Sequence, residues 1–258
     1  MKTPIPVTWL ILIAAHSFAA SPEHVYPSNV GTALEFGSVL YGDLNPQFQK
    51  QLYPQPVCMG PVDSPAITLI GNDTENTMSR QVCISAGFID LLNHVAHAKA
   101  IDRIQPGFFR QYVRALGDPT AFKSPDIDEP RFWKDDVMND QASYFNQMIG
   151  AITAINLSHI YLGQVNKYSG RMPAGRLAPI NDLLTPAEWE ASVKEGMLNA
   201  FNCGSMTEGI KILIEAIDMM PTRPAWTAFV VPNHADVKKL NKQLTRLEVL
   251  FFQGRLKD

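Results

Sequence analysis

The segment AITAINLSHIYLGQVNKY, residues 151–168, decides the expected fold because it combines a helical pattern with apolar side chains on nearly every side. Together with the residues before it, it places six side chains on one stripe: Phe145, Met148, Ile152, Ile155, His159 and Leu162. A helix that is apolar nearly all round lies in the interior of a protein. The spacing therefore predicts a buried central helix over residues 136–168, with one histidine on its inner stripe.

The bulk composition bounds the size of the fold and the kind of partner. The chain has 258 residues, of which 46% are hydrophobic and 18% charged, with a formal net charge of -3. That length suits one large domain with a substantial core, or at most two small domains. Because Lys and Arg are scattered and nearly balanced by Asp and Glu, we expect no nucleic acid and no anionic membrane surface as partner.

The N-terminus has the features of a secretory signal peptide, which we predict over residues 1–19. Lys2 provides a short positive region, residues 7–15 are apolar, and small residues at Ser17 and Ala19 suit a cleavage site. The alternative is an uncleaved N-terminal anchor. With cleavage near Ala19, we expect an exported protein, periplasmic or extracellular, whose mature chain has no transmembrane segment.

Export to an oxidising compartment permits disulfide bonds. The three cysteines, Cys58, Cys83 and Cys203, allow one bond and leave one thiol. Their positions leave all three pairings open. Since no C-x-x-C spacing occurs, neither a zinc ribbon nor a thioredoxin-type redox pair is indicated.

Outside the central helix, the pattern divides the chain into an arm and one domain. Residues 20–64 are rich in Pro, Gly, Asn and Gln and show little periodicity, which predicts an irregular N-terminal arm. Residues 66–71 and 81–85 are short and β-favouring, so we predict two strands of a small sheet. The helical period that follows predicts a single domain over residues 65–258, mainly α with a small β-sheet.

The boundaries of the later helices are marked by capping residues. Thr185 can cap a helix, Pro186 suits its first position, and Glu188 completes a capping box. Gly204 is placed to end that helix in the left-handed conformation. We expect Ser205 to start the next helix by the same logic as Thr185.

The order of these elements resembles that of the gluzincin-type zinc metallopeptidases of the heat-shock and prenyl-protein-protease group, over residues 65–250. In that family a strand leads into a GLLDLL-like helix, matched here by GFIDLL at residues 87–92. The family's H-E-x-x-H helix follows, and its motif falls on Ile155-Asn156-Leu157-Ser158-His159. The resemblance implies a zincin-like metallopeptidase architecture around the buried central helix.

The family's chemistry needs side chains that this chain lacks. Two histidines four residues apart bind zinc, and the glutamate between them activates the metal-bound water. Here Ile155 cannot bind a metal, and Asn156 has no carboxylate to act as a general base. His159 alone is kept, and Gln164 stands where relatives often carry a further histidine.

The resemblance places the third zinc ligand at Glu190, in the sequence EAS, with Glu195 as the alternative. Ser192 stands where the family has an aspartate that supports the ligands. A rebuilt zinc site would combine four residues: His94, His97, His159 and Glu190. The alternative reading treats His94 and His97 as surface or boundary residues and His159 as a neutral core residue. Its hydrogen-bond partners would then be sought among Asn156, Tyr161 and Tyr168.

Three functions follow from these patterns. The favoured one is a secreted metallopeptidase-like protein that is catalytically inactive and binds a peptide or protein, with His159, Asn156 and Glu190 as cleft residues. The second is an active zinc metallohydrolase with non-standard ligands. The third is a structural protein of the envelope, whose former cleft is filled by Ile155 and its neighbours. We expect no cofactor under the favoured function, and zinc if any.

Overall fold

The computed structural model describes residues 25–60, 62–70, 80–168 and 179–256, and the predicted signal peptide lies outside these ranges. The α-helices within them are α1 (Val30–Asp43), α2 (Pro46–Gln49), α3 (Ala86–Asp102), α4 (Phe108–Gly117), α5 (Asp135–Tyr161), α6 (Gln164–Tyr168), α7 (Pro186–Asn202), α8 (Glu208–Met219) and α9 (Val237–Phe252). The strands are β1 (Val57–Met59), β2 (Ile67–Ile70) and β3 (Gln81–Ile84). The predicted fold class, mainly α with a small β-sheet, is confirmed.

Helix α5 is the centre of the fold. It has 27 residues, and every residue from Met148 to Tyr161 is buried. Helices α1, α3, α7 and α8 all pack against it. The buried central helix is therefore confirmed, but it ends at Tyr161 and not at Tyr168. Gly163 adopts a positive φ of 74°, which ends the helical conformation and separates α5 from α6.

The three strands form one sheet in the order β1-β3-β2. β2 pairs with β3 in the antiparallel sense, which confirms the two predicted strands. β1 runs parallel to β3 and places Cys58 directly opposite Cys83. These two cysteines form the disulfide bond, and Cys203 remains a half-buried free thiol.

The prediction of an irregular arm over residues 20–64 is wrong, because this segment contains α1, α2 and β1. A capping box between Asn29 and Thr32 starts α1. Gly37 lets α1 approach the sheet, since a Cβ there would lie 2.4 Å from Val57 Cγ2. The glycine that reads as a loop residue in the sequence is thus a packing residue of a helix.

The capping prediction for α7 is confirmed, and that for α8 is wrong. Thr185 and Glu188 form the capping box of α7, and Gly204 ends it with a φ of 80°. Ser205 does not cap α8, which begins at Glu208 after Thr207. The Thr207 hydroxyl instead donates to Glu248 of α9 at 2.8 Å, so a contact between two helices replaces the local cap.

None of the helices in the described ranges is long and apolar enough to cross a membrane.

Candidate functional site

The site that contains His159 is formed where α5 and α7 touch. A Cβ at Gly196 of α7 would lie 2.6 Å from the Ile155 Cα atom of α5, so the two backbones are in direct contact. One turn before Gly196, this approach places Ser192 beside His159. Both side chains are fully buried, with an exposed fraction of 0%.

The imidazole of His159 is held by two side chains. Its Nδ1 atom lies 2.8 Å from Gln164 Oε1 and 3.1 Å from Ser192 Oγ. The Gln164 amide is oriented by its Nε2 group, which donates to the Glu188 carbonyl at 3.0 Å. Because an amide oxygen only accepts, we assign the proton of the neutral ring to Nδ1. The Ser192 hydroxyl then donates to Gln164 Oε1 at 2.9 Å or to the Glu188 carbonyl at 3.1 Å.

The opposite edge of the ring faces Asn181. Among the described residues, neither His159 Nε2 nor Asn181 Oδ1 makes a hydrogen bond, while the Asn181 amide donates to the Ala228 carbonyl at 3.0 Å. Burial lowers the pKa of His159 from 6.5 to about 4, and the side chains of Gln164 and Asn181 oppose that shift. The ring is therefore neutral at physiological pH.

A second polar group adjoins these residues and ties α6 to the start of α7. The Glu188 carboxylate accepts from Lys167, from the Thr185 backbone N–H and from the Tyr168 hydroxyl. These three donors lower the pKa of Glu188 to about 2, with Lys167 contributing most. The carboxylate is thus ionised, and its hydrogen bonds hold the start of α7 in place. They also fix the Glu188 carbonyl, which accepts from Gln164 and can accept from Ser192.

The hydrogen-bond partners predicted for His159 are wrong. The Asn156 amide instead donates to the Ile152 carbonyl, one turn earlier in α5, at 2.8 Å. Tyr161 stacks on Phe48 with ring centroids 4.5 Å apart. Tyr168 donates to Glu188.

The two histidines of α3 are bound elsewhere. His94 Nδ1 donates to the Asp90 carbonyl at 2.7 Å. His97 is fully buried, so the prediction of a surface or boundary position is wrong for it. Its Nε2 donates to the Phe132 carbonyl at 2.8 Å, and its Nδ1 accepts from the Tyr26 hydroxyl at 3.0 Å. Tyr26 and its neighbours bury His97 by folding over α3 from the N-terminal segment.

Glu190 lies apart from the histidines and pairs with Lys239 of α9 at 3.0 Å. The four residues of the hypothetical zinc site are thus not brought together. In the ranges that the structure describes, there is no group of three or more His, Cys, Asp or Glu side chains arranged to hold a metal ion. Zinc needs at least three protein ligands, and His159 is the one candidate ligand among neighbours that are amides and a hydroxyl, so the described residues at this site do not fit zinc.

The sequence identified two partners of His159 only as departures from the family's zinc site. Gln164 and Ser192 are the positions that the resemblance assigns to a further histidine and to a supporting aspartate. The structure brings both against His159, where they act as hydrogen-bond partners. Asn181 was missed altogether, because it lies in the short 3-10 helix Ile180–Leu183, which has no periodic pattern.

Comparisons of the chain with protein-family models, with curated proteins and with solved structures find no match.

The buried histidine predicts a pH-dependent stability. Its pKa is lower in the folded chain, about 4, than the ordinary value of 6.5, so the unfolded chain binds the proton more readily between these values. Burial of the neutral His159 ring contributes to the free energy of unfolding in full above pH 6.5. This contribution is lost as the pH falls to about 4, a loss on the order of 3 kcal/mol. Urea unfolding at several pH values measures it.

A matched pair of variants isolates the contribution of His159. In His159→Gln the free energy of unfolding should lose this slope between pH 6.5 and 4, while His94→Gln should keep it. An unchanged slope in His159→Gln would assign the effect to other groups.

Proposed function

We propose that the chain is an exported, metallopeptidase-like protein that does not hydrolyse peptides and that binds a peptide or protein. The observation that carries this proposal is the contact of His159 with Gln164 and Ser192. These are the positions at which the resemblance expects metal ligands or their supporting groups, and here they bind one another. A helical frame related to the peptidases, in which these polar side chains serve packing, accounts both for their positions in the resemblance and for their contacts with one another.

The proposal moves ligand binding away from the former cleft. His159, Asn156 and Ile155 are all buried, so none of these side chains is free to touch a ligand. Glu190 is half-buried and paired with Lys239. A binding function therefore needs another surface of the protein.

The same closed interior favours a second candidate, a structural protein of the envelope. Such a protein needs a filled core and no ligand site, and the burial of Ile155 in the hydrophobic core agrees with the first requirement. Ligand binding in solution distinguishes the two candidates.

The peptidase part of the proposal is tested by the zinc content of the mature protein. We expect elemental analysis to find no stoichiometric zinc in the wild type or in His159→Ala. The variant should lose about 2 kcal/mol of unfolding free energy, because it leaves the buried Gln164 and Ser192 groups without their partner.

One zinc per chain in the wild type, lost in His159→Ala together with peptidase activity, contradicts the proposal and supports a working metallohydrolase. Glu190→Gln is the control for the predicted third ligand. It should change neither the zinc content nor the activity, because Glu190 pairs with Lys239 at the surface.

A further inference from the structure

Helix α9 has two unlike sides, and neither belongs to the buried His159 site. Its buried side chains are all apolar, and α7 and α8 are its neighbours in the fold. The side turned to solvent carries five exposed side chains that we call the α9 outer face: Lys238, Lys242, Arg246, Val249 and Phe252. This face combines positive charge with large apolar groups, which a side chain facing only water does not require.

The cations of the α9 outer face form a row without counter-charges. Lys238, Lys242 and Arg246 follow one another at four-residue spacing, so they lie along one side of the helix over about 12 Å. Among the ion pairs and side-chain hydrogen bonds of the described residues, none involves these three groups. The row is therefore available to carboxylates of a partner.

The other charged side chains of α9 are used inside the protein's own structure. Lys239 pairs with Glu190 of α7 at 3.0 Å. Glu248, the one carboxylate in the sequence of α9, lies 3.4 Å from the ammonium of Lys211 and accepts from the Thr207 hydroxyl at 2.8 Å. Both contacts lie on the α8 side of the helix. Neither of these carboxylates neutralises the cations of the α9 outer face.

Large apolar side chains continue the same face beyond the cations. Val249 is 48% exposed and Phe252 is 64% exposed, three and six residues after Arg246. The Phe252 ring touches only the edge of Phe251, with ring centroids 5.8 Å apart, and Phe251 in turn packs on Phe201. Exposed aromatic groups beside unpaired cations are typical of protein contact surfaces, where they supply most of the binding energy.

We propose that the α9 outer face binds an acidic amphipathic segment of a peptide or protein partner. A helix repeats its side chains with the same period as α9, so carboxylates at four-residue spacing match the three cations one by one. Large apolar residues at one end of the segment then cover Val249 and Phe252. This inference rests on the proposed peptide-binding function and names its surface and its ligand chemistry.

Charge complementarity favours this occupant over two others. A second copy of the chain, placed on the α9 outer face by a twofold axis, would set like charges opposite one another. An anionic membrane would face a whole side of a protein whose formal net charge is -3. An acidic peptide touches the positive face alone, so the attraction is not diluted by carboxylates elsewhere.

The test is an NMR titration of the isotope-labelled mature protein with a capped, alanine-based peptide of about 16 residues, long enough for helix formation. It carries two leucines followed by three glutamates at four-residue spacing. An antiparallel peptide helix, which the helix dipoles favour, then places the leucines opposite Val249 and Phe252. We expect saturable shifts of the backbone amides of Lys242, Arg246 and Val249.

The contribution of charge is measured with a second peptide and with salt. The same peptide with glutamine in place of glutamate should bind at least about tenfold more weakly. Raising the salt concentration from about 50 to about 500 mM should weaken binding of the glutamate peptide, because exposed charges are screened.

Variants separate the α9 outer face from a general attraction of anions. Lys242→Gln with Arg246→Gln should weaken binding of the glutamate peptide about tenfold, and Phe252→Ser about fivefold. The matched control is Arg110→Gln with Lys123→Gln, which removes two exposed cations from α4 and the loop after it and should leave binding unchanged.

Three results would overturn the inference: equal binding of the glutamine peptide, no effect of the α9 double variant, or no saturable shifts up to about 10 mM peptide, beyond the range of weak specific binding. Vesicles that contain about one quarter phosphatidylserine test the membrane. Sedimentation of the wild type with them, lost in the α9 double variant, would assign the α9 outer face to a lipid surface and also overturn it.

The failure of this inference is distinguishable from the failure of the proposed function. Zinc-dependent peptidase activity would contradict the proposed function whatever the titration shows. An inert, zinc-free protein that ignores the glutamate peptide would overturn the α9 outer face as the binding site alone.

Discussion

Replacing Gly196 with alanine should cost about 4 kcal/mol of unfolding free energy, above the usual range for one added methyl group. The new Cβ would lie 2.6 Å from Ile155 Cα, 2.7 Å from Ile155 N and 2.9 Å from the Ala154 carbonyl carbon. All three are backbone atoms of a buried helix, so no side chain can rotate to make room. The helices α5 and α7 would have to separate, which opens the core around His159. Urea unfolding followed by circular dichroism measures the loss.

The control for this prediction is another helical glycine, Gly42 near the end of α1. A Cβ there would meet nothing within 4 Å. Gly42→Ala should therefore be neutral or raise the stability by up to about 1 kcal/mol, through helix propensity. If Gly196→Ala were as stable as Gly42→Ala, α5 and α7 would not approach as closely as described, and the contact of Ser192 with His159 would be lost with them.

Removal of the disulfide bond should cost about 3.5 kcal/mol, which is the loop-entropy value for a bridge over 25 residues. The variant is Cys58→Ala with Cys83→Ala, which leaves no unpaired thiol in the sheet. The bond joins β1 to β3 at paired positions, and its loss frees the segment between Cys58 and Cys83 in the unfolded chain. Denaturation with and without reductant measures the effect, and reductant should destabilise the wild type but not this double variant.

Cys203→Ala is the matched control for the disulfide prediction, with an expected change within about 0.5 kcal/mol. Burial raises the pKa of the Cys203 thiol to about 11, so the thiol stays protonated at neutral pH and reacts slowly with thiol reagents. A wild-type protein whose stability is indifferent to reductant would contradict the pairing of Cys58 with Cys83.

Local patterns in the sequence predicted the elements that they can specify. The apolar stripe through Met148 and Ile152 predicted α5, and the capping box at Thr185 predicted the start of α7. Helix α1 was not predicted, because its buried face consists of Ala33, Gly37 and Leu40. Two of these residues are small, so the apolar periodicity is weak in a segment with frequent prolines and amides. A periodic pattern is recognised by its large apolar side chains, so a buried helix face made of small residues gives a weak signal.

The partners of His159 could not be predicted from the same patterns. Gln164 is five residues away, but it reaches the ring only because Gly163 turns the chain with a positive φ. Ser192 is 33 residues away and depends on which helix packs on α5. A single sequence shows that α5 and α7 each have an apolar face. It does not show that a glycine on one, Gly196, fits the backbone of the other.

The attachment of the N-terminal segment to α3 has a consequence for the maturation of the chain. Tyr26 is bound by His97, and the Ser28 carbonyl accepts from Asn93 at 2.9 Å, so Tyr26 and Ser28 are both docked on α3. Under the proposed cleavage after Ala19, residues 20–25 span at most about 20 Å. A signal peptidase would have little room to reach its bond beside a completed fold. Under the proposed export, cleavage at the membrane is therefore expected to precede the docking of Tyr26 on α3.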